Sequence, residues 1–164
     1  MHLKRHLSYI QGYLELGLVS EAAAELGRIP APHSDLLEVV SLRMSILHEQ
    51  ENWGELAGVA AEYVGRSPGD AAPWVMWAYA TRRSVSLDAA ERILLEAERQ
   101  HPAEPTIQFN LGCYACLRGD LAEAQRRVDR AITLDPRFAE AAANDPDLTA
   151  LRSVAARRSP HEAN

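Results

Sequence analysis

The sequence predicts an all-α fold of stacked antiparallel helix pairs, an α-solenoid, and three observations carry that prediction. Alanine leads the composition at 27 of 164 residues; it costs least in a helix and lets helix axes approach closely. Pro68, Pro102 and Pro136 fall 34 residues apart, each closing an amphipathic stretch. With that proline at position 32, the chain divides into units 3–36, 37–70, 71–104 and 105–138, and small or apolar residues align in all four. Position 8 holds Ile10, Met44, Ala78 and Gly112, and position 20 holds Ala22, Leu56, Ala90 and Ala124. Position 24 holds Leu26, Ala60, Leu94 and Val128; position 27 holds Ile29, Tyr63, Ala97 and Ala131. A period of this length marks repeated helix pairs, each of which needs its neighbours to bury its apolar face.

The expected helices, in order, are 3–17, 20–30, 34–49, 52–66, 71–83, 87–100, 104–117 and 120–134. Ser20 is placed to cap the second helix, Asn52 with Glu55 the fourth, and Ser86 the sixth. In the seventh, Ile107, Leu111 and Tyr114 recur at helical intervals, and Arg118-Gly119-Asp120 makes the turn. Asp120, with Glu123 three residues on, caps the eighth, which ends at Asp135-Pro136. Gly112, at position 8, is expected to face the partner helix, where only a small side chain fits. Beyond Pro136, Arg137 to Ala143 reads as two helical turns, and Asp145 before Pro146 restarts a helix over 146–156. Leu148, Leu151 and Val154 would cover the outer flank of the last pair. One domain over 1–156 results, with a terminal cap at 139–156 and a disordered polar tail at 157–164.

Bulk properties exclude several function classes. The formal charge is -6 and the pI about 5.5, which disfavours nucleic acid and anionic membranes as partners. The deficit sits in the first 70 residues, which carry 5 basic and 10 acidic side chains. No stretch is apolar enough for a membrane span, and the basic start Met1-His2-Leu3-Lys4-Arg5-His6 lacks the apolar core of a signal peptide. A cytoplasmic location is expected.

The fourth unit carries the sharpest resemblance. Phe109-Asn110-Leu111-Gly112, Gly119-Asp120-Leu121, Glu123-Ala124, Ala131 and Asp135-Pro136 resemble the tetratricopeptide repeat consensus almost residue for residue. Trp74, Ala78, Ala90, Ala97 and Pro102 match in the third unit. The first two units diverge, with Arg43 at a usually apolar position and Ser34 where proline is expected. A narrower resemblance, to a bacterial subfamily of these repeats, rests on Ala78-Tyr79-Ala80-Thr81-Arg82-Arg83, on the run from Asn110 to Cys116, and on Asp145-Pro146-Asp147-Leu148. The resemblance implies a concave groove lined by positions 2, 5, 6, 9, 12 and 13 of each first helix. Those positions hold Glu38, Ser41, Leu42, Ser45, His48 and Glu49 in the second unit. They hold Ala72, Val75, Met76, Tyr79, Arg82 and Arg83 in the third, and Thr106, Phe109, Asn110, Cys113, Cys116 and Leu117 in the fourth. The resemblance singles out Met76, Tyr79, Arg82, Arg83, Phe109, Asn110 and Cys113 as binding residues, with Asn110 bonding peptide backbone. Glu49 and Leu117 replace the lysines that clamp acidic carboxyl-terminal motifs in the family, so that specificity is not expected.

Other constellations read as structural. Cys113 and Cys116 lie mid-helix, away from the helix start that activates a redox pair, and no second pair completes a zinc site. His2 and His6 share a helical face but have no carboxylate nearby in sequence, and are expected to be exposed; His33, His48, His101 and His161 fall near helix ends or in connections. Asp120, Glu123, Asp135, Asp145 and Asp147 lack calcium-loop spacing and read as caps. Arg126, Arg127 and Arg130 read as a solvated helix face beside Asp120, Glu123 and Asp129. No nucleophile–base set and no phosphate-binding glycine loop is visible. The expectation is a non-catalytic protein-interaction module without metal or cofactor, taking a peptide or helix in its groove. A self-assembling structural unit is the alternative, and a small-molecule enzyme the third reading.

Overall fold

The computed structural model describes residues 2–158. Its helices are α1 (Leu3–Glu15), α2 (Val19–Leu26), α3 (Leu37–Glu49), α4 (Trp53–Arg66), α5 (Ala71–Ser84), α6 (Leu87–Gln100), α7 (Pro105–Leu117), α8 (Leu121–Leu134), α9 (Phe138–Asn144) and α10 (Thr149–Arg158). Single 3₁₀ turns at His33–Asp35 and Pro146–Leu148 precede α3 and α10, and no strand occurs among the described residues. The fold class is therefore the expected one: all-α, in repeated helix pairs of the solenoid type. The chain divides after Ser86 into two compact units. Residues 159–164, with His161 and most of the expected tail, lie outside the described residues, while α10 carries helix through Arg157 to Arg158.

In the first unit, Ile10, Ala22, Ile29, Val39 and Ile46 form one apolar cluster, joining α1 and α2 to α3. A second, of Val40, Met44, Leu47, Leu56, Ala60 and Ala80, joins α3, α4 and α5. In the second unit the buried apolar residues include Ala90 and Leu94 on α6, Ile107 and Leu111 on α7, Ala124 and Val128 on α8, and Leu148 in the 3₁₀ turn before α10. The four aligned positions account for much of this interior. Every one of their residues is buried except Leu26 and Tyr63, which are half-buried. Gly112 shows why one must be small. A Cβ there would stand 3.0 Å from Val128 Cγ2 and 3.3 Å from the Ala124 carbonyl.

The turns repeat as well. After α1, Gly17 takes φ 70°, its N–H donating to the Leu14 carbonyl while Leu18 N–H reaches back to Tyr13. Gly119 (φ 85°) does the same after α7, with bonds to Cys116 and from Asp120 to Ala115. These are left-handed caps of the Schellman kind. Position 15 of the second unit repeats the geometry with Glu51 at φ 54°, although a side chain is strained in that region. The caps expected at Asn52, Asp120 and Asp145 form, each carboxylate or amide oxygen accepting a backbone N–H, from Glu55, Glu123 and Asp147 respectively.

Several expectations are corrected. Ser20 is not the cap of α2: the Gly17 turn delivers the chain into a helix at Val19, with Leu18 at the cap and no side-chain bond there. That helix stops at Leu26 rather than residue 30. Gly27 follows, and Pro30 would clash with the carbonyl four residues before it while turning Ile29 away from helical geometry. His6 is not an exposed terminal histidine. It is 5 % exposed, and its Nδ1 lies 2.7 Å from Glu25 Oε1, with Arg28 donating to Oε2 at 2.8 Å. Burial disfavours the Glu25 charge, but the bonds from His6 and Arg28 outweigh it and hold the carboxyl below its ordinary value.

Arg127 likewise leaves the solvated stripe. At 9 % exposure, it donates Nε to Glu123 Oε1 at 2.6 Å and Nη1 to both Glu98 Oε1 at 2.9 Å and Gln108 Oε1 at 3.0 Å. Gln108 closes the circuit by donating to Glu98 at 2.7 Å. The network ties α6, α7 and α8 together. Arg126 grips Glu123 from the outside through two bonds, and with Arg127 lowers that carboxyl to a pKa of about 2 against the opposing effect of burial. Burial also works against the Glu98 charge, but Arg127 and Gln108 together hold that carboxyl low.

Candidate functional site

The first unit carries an open trough between α3 and α5. Positions four or three residues apart share a helix face, which aligns Ser41, Ser45 and His48 on α3 with Ala72, Met76, Tyr79 and Arg83 on α5. A cleft of about 520 Å³ opens at the amino-terminal end of α5, lined by Ser41, Ser45, Tyr63, Asp70, Ala72 and Met76 among others. Its floor is buried Met44. Small residues keep the middle shallow-walled, and Ser45 Oγ donates back to the Ser41 carbonyl at 3.3 Å.

The carboxyl-terminal end of α5 is aromatic and cationic. Tyr79 stacks near His48 with centroids 5.7 Å apart and meets Trp53, the first residue of α4, edge-on at 5.4 Å. Trp53 also meets His48 edge-on at 5.5 Å. Over this cluster lies the Arg83 guanidinium, 4.7 Å from the Trp53 ring and 5.1 Å from Tyr79. A cation held on two π-faces keeps its charge while losing part of its side-chain freedom. No carboxylate pairs with Arg83 among the described residues; Glu49, the last residue of α3, is 3.5 Å from His48 Nδ1 instead. Tyr79 remains 37 % exposed.

At the opposite end stands Asp70, which precedes α5 without capping it. Its Oδ2 accepts from Ser67 Oγ at 2.9 Å and from Tyr63 OH at 3.1 Å. Burial, then the bond to Asp70 and its charge, raise the Tyr63 phenol above its ordinary value, so it stays a donor.

The second unit treats the equivalent surface differently. Phe109 occupies the position that Ser41 holds two repeats earlier, and Phe138 the position of Asp70. Their rings lie 5.1 Å apart, and Phe109 is only 6 % exposed. The aromatic pair joins α7 to α9 beside a cleft of about 530 Å³ lined by Thr106, Asp135, Arg137 and Phe138 among others, so the second unit has an opening of its own with an aromatic wall. Cys113 and Cys116 are buried thiols on the same helix, while Asn110 and Thr106 stay half-buried. Cys113 Sγ and carboxylate oxygens of Asp145 and Asp147 lie within 4.8 Å of one another, but Asp145 is engaged as the cap of the 3₁₀ turn. Of the binding residues expected from the sequence, then, Met76, Tyr79, Arg82 and Arg83 lie on α5 in the first unit and Phe109, Asn110 and Cys113 on α7 in the second. Trp53 and Asp70 were missed. Trp53 begins a second helix, outside the row of inward positions, and Asp70 lies in the connection before a first helix.

Repeated helix pairs with left-handed caps at a 34-residue period and a small residue at a close crossing have counterparts among known structures. TTC0263, a thermophilic TPR protein of Thermus thermophilus, superposes with a TM-score of 0.69 at 17 % identity over 97 % of this chain and 92 % of that one. The fold is the tetratricopeptide-repeat fold. YrrB, described as a TPR protein with an unusual peptide-binding site, gives 0.65 at 16 % identity, covering 89 % of this chain and 71 % of its own. MamA from Desulfovibrio magneticus RS-1 gives 0.70 at 14 % identity over 94 % and 91 %. No protein-family profile matches the chain, and neither does any curated protein sequence. No helix among the described residues is long and apolar enough to cross a membrane.

Proposed function

We propose that this chain is a non-catalytic, cytoplasmic protein-interaction module that holds an extended peptide in the α3–α5 trough of its first unit. One observation carries the reading: an arginine without an acidic partner among the described residues, held on Trp53 and Tyr79 at the carboxyl-terminal end of α5, the helix whose amino-terminal end walls an open cleft. Ordering the cation in advance lowers the entropy lost on binding. Tyr79 and Met76 supply apolar contact, and Arg82 and Arg83 attract a carboxylate. Rigid aromatic and arginine side chains of this kind dominate many interfaces. In the second unit Asn110 is the candidate for backbone contact, with Phe109 and Cys113 shaping the wall behind it. The peptide-binding site ascribed to YrrB, which shares the fold, agrees with this use of it.

Panning a displayed library of short random peptides against the whole protein tests the proposal. Wild type should enrich a peptide family, and Tyr79→Ala should weaken its binding by on the order of 1–3 kcal/mol, roughly ten- to a hundredfold. Arg83→Glu should weaken it more at low salt than at high salt. Enrichment that survives both substitutions, or a chain that only associates with itself on analytical ultracentrifugation, would replace the trough with an assembly surface.

A further inference from the structure

We infer that the trough reads two opposite charges at a fixed spacing, so that its ligand is an extended peptide carrying an acidic group for Arg83 and a basic group for Asp70. The inference rests on the trough being the binding surface, as proposed above. Asp70 and Arg83 mark the two ends of α5, which at about 1.5 Å per residue sets them about 20 Å apart along its axis. An extended chain rising about 3.3 Å per residue spans that distance in about six residues. Between the ends the walls are made by Ser41, Ser45, Ala72 and Met76, which leave room for a backbone and small side chains.

The ends differ in what they can accept. Arg83 lies on two rings, which leaves its N–H edge for a carboxylate. Both internal bonds to Asp70 fall on Oδ2, so Oδ1 is open to an ammonium or guanidinium. A purely acidic ligand is disfavoured by its surroundings. The first 70 residues hold 10 acidic against 5 basic side chains. Arg83 supplies positive charge at one end, while Glu49 beside His48 and Asp70 at the far end add negative charge. A peptide bearing both signs meets neither repulsion.

The probes are labelled peptides, acetylated and amidated to remove terminal charge, with lysine and glutamate about six positions apart, which keeps both on one face of an extended chain, placed side by side, or both replaced by glutamine. Titrated against the whole protein at low salt, the spaced peptide should bind about tenfold tighter than the other two. Asp70→Lys alone and Arg83→Glu alone should each remove that advantage, and the double variant should restore it, since the peptide can lie in the opposite direction. Asp70→Asn serves as the milder variant, and because Asp70 does not cap α5 its helical spectrum should stay that of wild type. Equal binding of all three peptides, with Tyr79→Ala still weakening them, would overturn the charge reading and leave the trough standing. Loss of any Tyr79→Ala effect, or no binding by any probe, would overturn both.

Discussion

Glu51 holds a backbone conformation that the protein gives to glycine in two corresponding turns. With φ 54° and no partner for its side chain among the described residues, it carries strain with no compensating contact. Glu51→Gly should raise stability by about 0.5–1 kcal/mol, the relief of left-handed strain partly offset by glycine's larger unfolded-state entropy. A higher urea midpoint with unchanged slope would show it; Val85→Gly, at the same repeat position but φ -127°, should give no gain. Gly112 is the opposite case. Gly112→Leu forces a side chain into a gap that closes 3.0 Å from Val128, and should cost about 1–3 kcal/mol. An unchanged midpoint would mean that α7 and α8 can separate freely. The role of Gly112 was legible in the sequence because the position aligned over four repeats. The strain at Glu51 was not, because its consequence depends on a φ that glycine at Gly17 and Gly119 only hints at.

At the scale of elements, polar networks rather than apolar faces were hidden. Arg127 looked solvated because its own helix places it beside Arg126 and Arg130, whereas its partners Glu98 and Gln108 arrive from α6 and α7. His6 and Glu25 escaped notice for the same reason, being 19 residues apart. Arg127→Met should cost about 2–3 kcal/mol, below the ~3–5 kcal/mol of a fully buried pair because Glu98 and Glu123 keep some solvent. Glu25, Glu98 and Glu123 all have folded pKa values below the ordinary 4.5, Glu123 at about 2. Their contribution is therefore full above pH 4.5 and disappears as pH falls toward 2. Denaturant titrations across that window should show wild type losing stability on acidification and Arg127→Met losing less. Parallel acid limbs for the two proteins would remove the network from the explanation. Helix boundaries were legible wherever the repeat was regular: α6 spans 87–100 as expected, while α2 ended early at the Gly27–Pro30 segment.

For the molecule as a whole, the 34-residue period was sufficient to give the fold class, since it states both the helix pairs and the residues that must be small between them. The candidate site was half legible. Met76, Tyr79 and Arg83 lie on the row that the repeat assigns to the groove, but the sequence could not show that Phe109 is taken up by Phe138, nor that Trp53 and His48 assemble under Arg83. Aromatic residues in the two units thus do different work: one pair packs α9 against α7, the other cluster presents a charge. Binding in the α3–α5 trough is open to a single decisive measurement, amide chemical-shift mapping of the isotope-labelled protein during titration with a library-enriched peptide. Shifts should centre on Ser45, His48, Met76, Tyr79 and Arg83 and leave the α8 face around Arg126 unchanged. Shifts centred on α7 to α10, with α3 and α5 unmoved, would contradict it.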